Sequence, residues 1–168
     1  MIARWLALLG AGSLSCCASP DPGHGGEDTT DEASVVLGVP SGDDGLDFAP
    51  LDDGAELRLQ SFGQGGTHVF LGVRCVGFGT RAYVTIRLEN LTTGVEITSP
   101  APPRPQLLYC NDEGVCDLVP MTVMTGGLTD ATEERDGLRI EVGAEVHNDD
   151  GARATDTVEA VLSTADLN

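Results

Sequence analysis

Two stretches of this chain alternate apolar and polar residues so regularly that only a β-strand with one buried face accommodates them. Ala82, Val84, Ile86 and Leu88 interleave with Arg81, Tyr83, Thr85, Arg87 and Glu89. Leu138, Ile140, Val142, Ala144 and Val146 interleave in the same way with Arg139, Glu141, Gly143, Glu145 and His147. Successive side chains of a strand point to opposite faces, so a period of two puts one set in a core and the other in water. Val69, Leu71, Val73 and Cys75, set against His68, Phe70, Gly72 and Arg74, form a third such row. Weaker strand signals cover residues 56–62, 94–98, 106–110, 115–124 and 155–162. No segment carries a helical period with capping residues. Seven to nine short strands separated by turn residues predict an all-β fold, a β-sandwich of Greek-key type.

The last two strands form the clearest pair. Residues 138–147, the turn Asn148-Asp149-Asp150-Gly151 and residues 154–162 predict an antiparallel hairpin, because Asn, Asp and Gly tolerate the positive φ that such turns need. This ending resembles the closing hairpin of immunoglobulin-like bacterial surface modules, which implies an immunoglobulin-like sandwich.

The N-terminus reads as an export signal. Arg4 supplies a positive charge and the run from Trp5 to Leu14 an apolar core, too short for the ~20 apolar residues of a membrane-spanning helix. Gly12-Ser13-Leu14-Ser15-Cys16 resembles the lipobox of bacterial lipoproteins, in which small residues precede a cysteine that is acylated and becomes the new N-terminus. The resemblance implies a signal peptide over residues 1–15 and lipidation at Cys16, with Cys17 as the alternative. The residue that follows either cysteine, Cys17 or Ala18, is not Asp, which by resemblance to Gram-negative sorting implies the outer membrane, facing periplasm or cell surface. Residues 16–49 are expected to be a flexible acidic tether. Ser19-Pro20-Asp21-Pro22-Gly23 and the acidic residues after it offer too little apolar surface to offset the entropy of ordering. Within it, Val35-Val36-Leu37-Gly38-Val39 is an apolar island that could dock as an edge strand. The compact domain is then expected over residues 50–168.

Charge narrows the partners. The chain carries 27 acidic and 9 basic residues, a net charge of −18, and every basic residue is Arg. So acidic a protein is repelled by nucleic acid and by anionic head groups. A lipid anchor to the membrane, and a protein or glycan partner, remain as the expected contacts.

A further resemblance rests on Asp53-Gly54-Ala55-Glu56-Leu57, followed by Gly63-Gln64-Gly65-Gly66-Thr67-His68-Val69. This pattern resembles the opening of a group of uncharacterised lipoproteins of myxobacteria and relatives, from which no activity carries over. Physically, Gly65-Gly66 would turn the chain between two strands, with Gln64 and His68 as hydrogen-bonding neighbours of the turn.

Of the five cysteines, Cys110 and Cys116 flank a turn between two strand-like runs and are expected to form a disulfide, in keeping with export. Cys75 lies on an apolar row and is expected to be a buried thiol acting as a small hydrophobe, with pairing to Cys17 or Cys110 as the alternative. An inter-sheet bridge of immunoglobulin type would need a cysteine where this chain has Val142, Ala144 and Val146. Three scattered histidines, His24, His68 and His147, read as surface residues and give no zinc spacing. Met121 and Met124 read as core and rim. No nucleophile elbow or phosphate loop is present in the sequence, so no catalytic residue is assigned and no enzyme activity is expected. The acidic turns Asp43-Asp44-Gly45, Asp52-Asp53-Gly54, Asn111-Asp112-Glu113-Gly114 and Asn148-Asp149-Asp150-Gly151 set oxygen ligands beside glycine. Asp112, Asp149 and Asp150 are therefore the calcium candidates, although the same residues are ordinary turn formers.

The sequence thus predicts a non-catalytic envelope lipoprotein that presents a β-sandwich interaction or structural module from the outer membrane. A calcium-dependent adhesion or carbohydrate-binding module is the alternative.

Overall fold

The structure, a computed structural model, describes residues 32–61, 66–99, 101–126 and 135–164. The signal peptide, Cys16, Cys17, His24 and Gln64 lie outside the described residues. Among these residues there is no helix, and twelve strands make two six-stranded sheets.

The first sheet has the order β2 (Asp47–Pro50), β1 (Ser34–Ser41), β5 (Thr67–Val76), β10 (Val115–Thr125) and β9 (Tyr109–Cys110). In the same sheet β4 (Gln60–Ser61) pairs with β5 at His68 and Thr67, past the end of β1. The second sheet has the order β3 (Ala55–Arg58), β12 (Arg153–Ser163), β11 (Arg139–His147), β6 (Arg81–Asn90) and β7 (Val95–Glu96). Here β8 (Pro105–Leu107) also pairs with β6, at the opposite end from β7. All pairings are antiparallel except the short β12–β3 ladder. The inward rows of the two sheets meet in one core of Val, Leu, Ile and Ala, in which Phe78 is the one phenyl ring among the described residues. That agrees with the aliphatic core the alternation implied.

The domain begins earlier than the sequence suggested. Residues 34–49 are not tether: β1 is an interior strand, paired with β5 over residues 34–38 and with β2 over residues 38–41. The island is short, but Val35 and Leu37 both fall on the inward parity, and Leu37 is fully buried. Burying a leucine contributes roughly 1.5–3 kcal/mol, enough to offset fixing a few residues of an acidic segment. Over residues 34–37, β2 no longer covers the outer edge of β1. There the Leu37 N–H donates to Asp156 Oδ2 of β12 at 2.7 Å, across the seam between the sheets. Asp156 occupies the inward parity of β12, beside Ala154 and Val158. It thus gives a backbone donor at an open corner the partner that burial demands.

The strand count is also higher than seven to nine, because two predicted strands each divide between the sheets. Residues 56–62 contain β3 in the second sheet and β4 in the first, and residues 106–110 contain β8 in the second and β9 in the first. Each crossing carries one buried leucine, Leu59 or Leu108, and Leu51 does the same between β2 and β3. Their backbone N–H groups donate to Ser163, Thr80 and Leu37 carbonyls respectively. A single large side chain fills the core while the chain changes layer. In β10 the register slips between Leu118 and Met121, where one extra residue bulges against β5.

Candidate interaction face

The outward rows of β6, β11 and β12 form the wet face of the second sheet. In register, Tyr83 stands opposite His147 and Arg153, Thr85 opposite Glu145 and Thr155, Arg87 opposite Gly143 and Thr157, and Glu89 opposite Glu141 and Glu159. Glu96 of β7 pairs with Glu89, so four carboxylates cross four neighbouring strands in one line. Like charges directly opposite one another in a sheet destabilise it. Some of this repulsion is relieved where Arg139 donates to Glu159 at 2.6 Å, and Arg153 pairs with Glu145 at 3.1 Å. Arg87 makes no ion pair among the described residues. At one end of the face the His147 ring stacks flat on Tyr83, with centroids 4.9 Å apart.

Gly143 sits at the centre of this face. A Cβ placed there would meet no atom within 4 Å, and the register runs unbroken through it. The missing side chain leaves an open groove of about 250 Å³ walled by Arg87, Glu89, Glu141, Glu145, Thr155 and Thr157. The contrast with the first sheet is instructive. Gly38 and Gly72 pair with each other, and a Cβ on Gly38 would strike the Phe48 ring, while one on Gly72 would lie 2.6 Å from Val119 Cγ2. Those two glycines let the Phe48 ring close down on the outer surface of the first sheet, where the Arg74 guanidinium lies 4.5 Å from the ring centroid. Arg74 also grips Asp117 through two hydrogen bonds of 2.8 Å. Gly38 and Gly72 are demanded by packing; Gly143 is not.

The residues singled out from sequence are dispersed. Cys110 and Cys116 are bridged, S–S 2.06 Å, as directly opposed residues of β9 and β10. Cys75 is buried with its thiol free, and its pKa is pushed up to about 12, first by burial and then by the Asp117 carboxylate. Asp112 lies in the turn before β10 and Asp149 and Asp150 in the turn between β11 and β12. Each turn is closed by its own asparagine: Asn111 Oδ1 accepts from Glu113 and Val115, and Asn148 Oδ1 from Ala152. Asp44 and Asp53 accept from the backbone of Leu46 and Glu159. Among the described residues, no three Asp, Glu, His or Cys side chains stand close enough to hold a metal ion. Met121 packs at the core and Met124 is exposed, in line with core and rim.

His68 is not a surface residue. It is 3% exposed, its ring meets the edge of Phe70 at 4.8 Å, and burial lowers its pKa. The outward parity of β5 is covered by its neighbours rather than wet, which a single strand's alternation cannot reveal. Near it lies a polar cluster that sequence reasoning missed. Buried Arg135 donates to Thr67 Oγ1 at 2.5 Å, Thr67 and Thr125 hydroxyls meet, and Thr125 Oγ1 donates to the Thr67 carbonyl at 2.9 Å. No family model, curated protein or solved structure matches this chain.

Proposed function

We propose that this chain is a non-catalytic envelope lipoprotein. In this reading an acyl anchor at Cys16 holds an immunoglobulin-like β-sandwich at the outer membrane, and the outer face of its second sheet binds a protein or glycan partner. The lipobox-like run ending at Cys16 and the likeness of residues 53–69 to myxobacterial lipoproteins support the address. The observation that carries the binding role is the groove over Gly143. A glycine in the middle of a central strand costs stability. Here no close packing requires it, and it leaves Arg87 beside open space and a line of carboxylates. Such a surface offers both signs of charge and threonine hydroxyls to a polar ligand on a rigid scaffold. A protein so acidic overall favours a partner presenting basic or hydroxyl groups.

The test is affinity capture from envelope extracts with the wild-type chain and with Gly143→Trp, which fills the groove without touching the core. A partner held by the wild type and lost from Gly143→Trp supports the reading. A partner held equally by both places the binding surface elsewhere. Turnover in a hydrolase screen would overturn the non-catalytic assignment.

A further inference from the structure

The three cysteines of the folded domain form a row across three adjacent strands. Cys75 of β5 stands directly opposite Cys116 of β10, and Cys116 directly opposite Cys110 of β9. Directly opposed residues of an antiparallel pair share a face and have Cα atoms roughly 4.5–5.5 Å apart, inside the roughly 4.4–6.8 Å that a disulfide spans. Cys116 is therefore the middle sulfur of three. Its bridge partner lies on one strand and a free thiol on the other, and thiol–disulfide exchange proceeds by attack of such a thiolate on a disulfide sulfur.

The neighbouring elements differ in how firmly they are held. β10 is registered against β5 from Val115 to Thr125, whereas β9 is two residues long and pairs with β10 only at Cys110 and Tyr109. A bond between Cys75 and Cys116 joins two strands that already lie side by side. Loss of the bond to Cys110 frees a short edge strand whose Tyr109 is 71% exposed.

We propose that Cys116 is shared between two partners, so that its disulfide moves from Cys110 to Cys75 and turns Cys110 into an exposed, reactive thiol. The Cys75 thiolate attacks Cys116 Sγ, the Cys116–Cys110 bond breaks, and the electron pair leaves on Cys110 Sγ, which takes up a proton. The proton lost by Cys75 is balanced by the one gained at Cys110. One disulfide and one thiol exist before and after, so no oxidant or reductant is consumed. The nucleophile starts in the core and the thiol ends at the surface, where a thiol-reactive partner can reach it.

Burial holds Cys75 in its thiol form, the Asp117 carboxylate clamped by Arg74 adds to this, and Val35, opposite on β1, is apolar. Exchange is accordingly slow at neutral pH. Its rate should rise about tenfold per pH unit while the thiolate fraction rises in proportion.

The test is differential alkylation of the full wild-type chain with N-ethylmaleimide at pH 7, 8 and 9, followed by non-reducing peptide mapping. Arg74, Arg81 and Glu113 bracket the three cysteines, so cleavage after Arg and Glu separates them and reads each pairing without interference from Cys16 and Cys17. The expected result is labelled Cys110 together with a Cys75–Cys116 cross-linked peptide, both rising about tenfold per pH unit, and neither appearing in Cys75→Ala. A second arm incubates Cys110→Ser with a small-molecule disulfide as the two-electron oxidant, after which Cys75 and Cys116 should be recovered joined. Unlabelled Cys110 in the wild type at pH 9 overturns the proposal. So does equal labelling of Cys110 in Cys75→Ala, or recovery of Cys75 and Cys116 unjoined in oxidant-treated Cys110→Ser.

Discussion

Replacing Gly143 by threonine should make this protein more stable, although the site lies in the middle of a central strand. A glycine in a strand interior costs roughly 0.5–1 kcal/mol relative to alanine, because the unfolded chain loses more conformational freedom. Threonine adds β-propensity and cross-strand contact on a scale that spans about 1 kcal/mol. Neither gain is offset at this position, since a Cβ meets nothing within 4 Å and Thr157 stands opposite as a hydroxyl neighbour. The expected net effect is a stabilisation of about 1 kcal/mol, which moves Tm up by about 3–4 °C in a domain of this size. In urea titrations the midpoint should rise with the slope unchanged. Gly72→Ala is the built-in opposite, because its Cβ would sit 2.6 Å from Val119 Cγ2, and it should lower Tm. A Gly143→Thr chain that melts below wild type would refute the register of β11 between β6 and β12. It would also remove the reason for reading the groove as anything but a packing requirement.

Three further outcomes follow from the packing. Asp156→Ala leaves the Leu37 N–H without its 2.7 Å acceptor and should cost about 1–3 kcal/mol in chemical unfolding, while Asp156→Asn, which keeps an acceptor oxygen, should cost less. A chain starting at residue 32 should give a cooperative β-type circular dichroism melt, and one starting at residue 50, stripped of β1 and its buried Leu37, should not. Burial lowers the His68 pKa from 6.5, so the folded state binds fewer protons than the unfolded chain below that value. The stability this contributes is complete above about pH 6.5 and is lost as pH falls through the folded pKa. His68→Phe should flatten the fall in Tm between pH 7 and 5.

The long strands were legible because each keeps one face in the core over nine to eleven residues, as β5, β6, β11 and β12 do. Alternation fails where the chain changes sheet. Leu59 and Leu108 read as members of one strand, yet each is the plug between a strand in one layer and a strand in the other. β1 read as no more than an edge strand within an acidic tether, since only Val35 and Leu37 of its apolar residues face inward before the glycine that Phe48 covers. His68 was misjudged because its outward parity lies under other side chains, and that depends on partners distant in sequence. Gly143 read as one more outward position of a regular strand, and only the register of three strands shows it as the floor of a groove. The Cys110–Cys116 bridge followed from local spacing, whereas the placement of Cys75 beside Cys116 depends on a register that a bulge at Leu118 and Met121 prevents from being counted out.

The binding role of the second sheet's outer face is tested most directly by site-specific photo-crosslinking in intact cells. A photoreactive residue at position 87, on the wall of the groove, should give a discrete adduct that disappears when Gly143→Trp is added. The same residue at position 36, exposed on the outer face of the first sheet, should give none. No adduct from position 87, or the same adduct from both positions, would contradict the account.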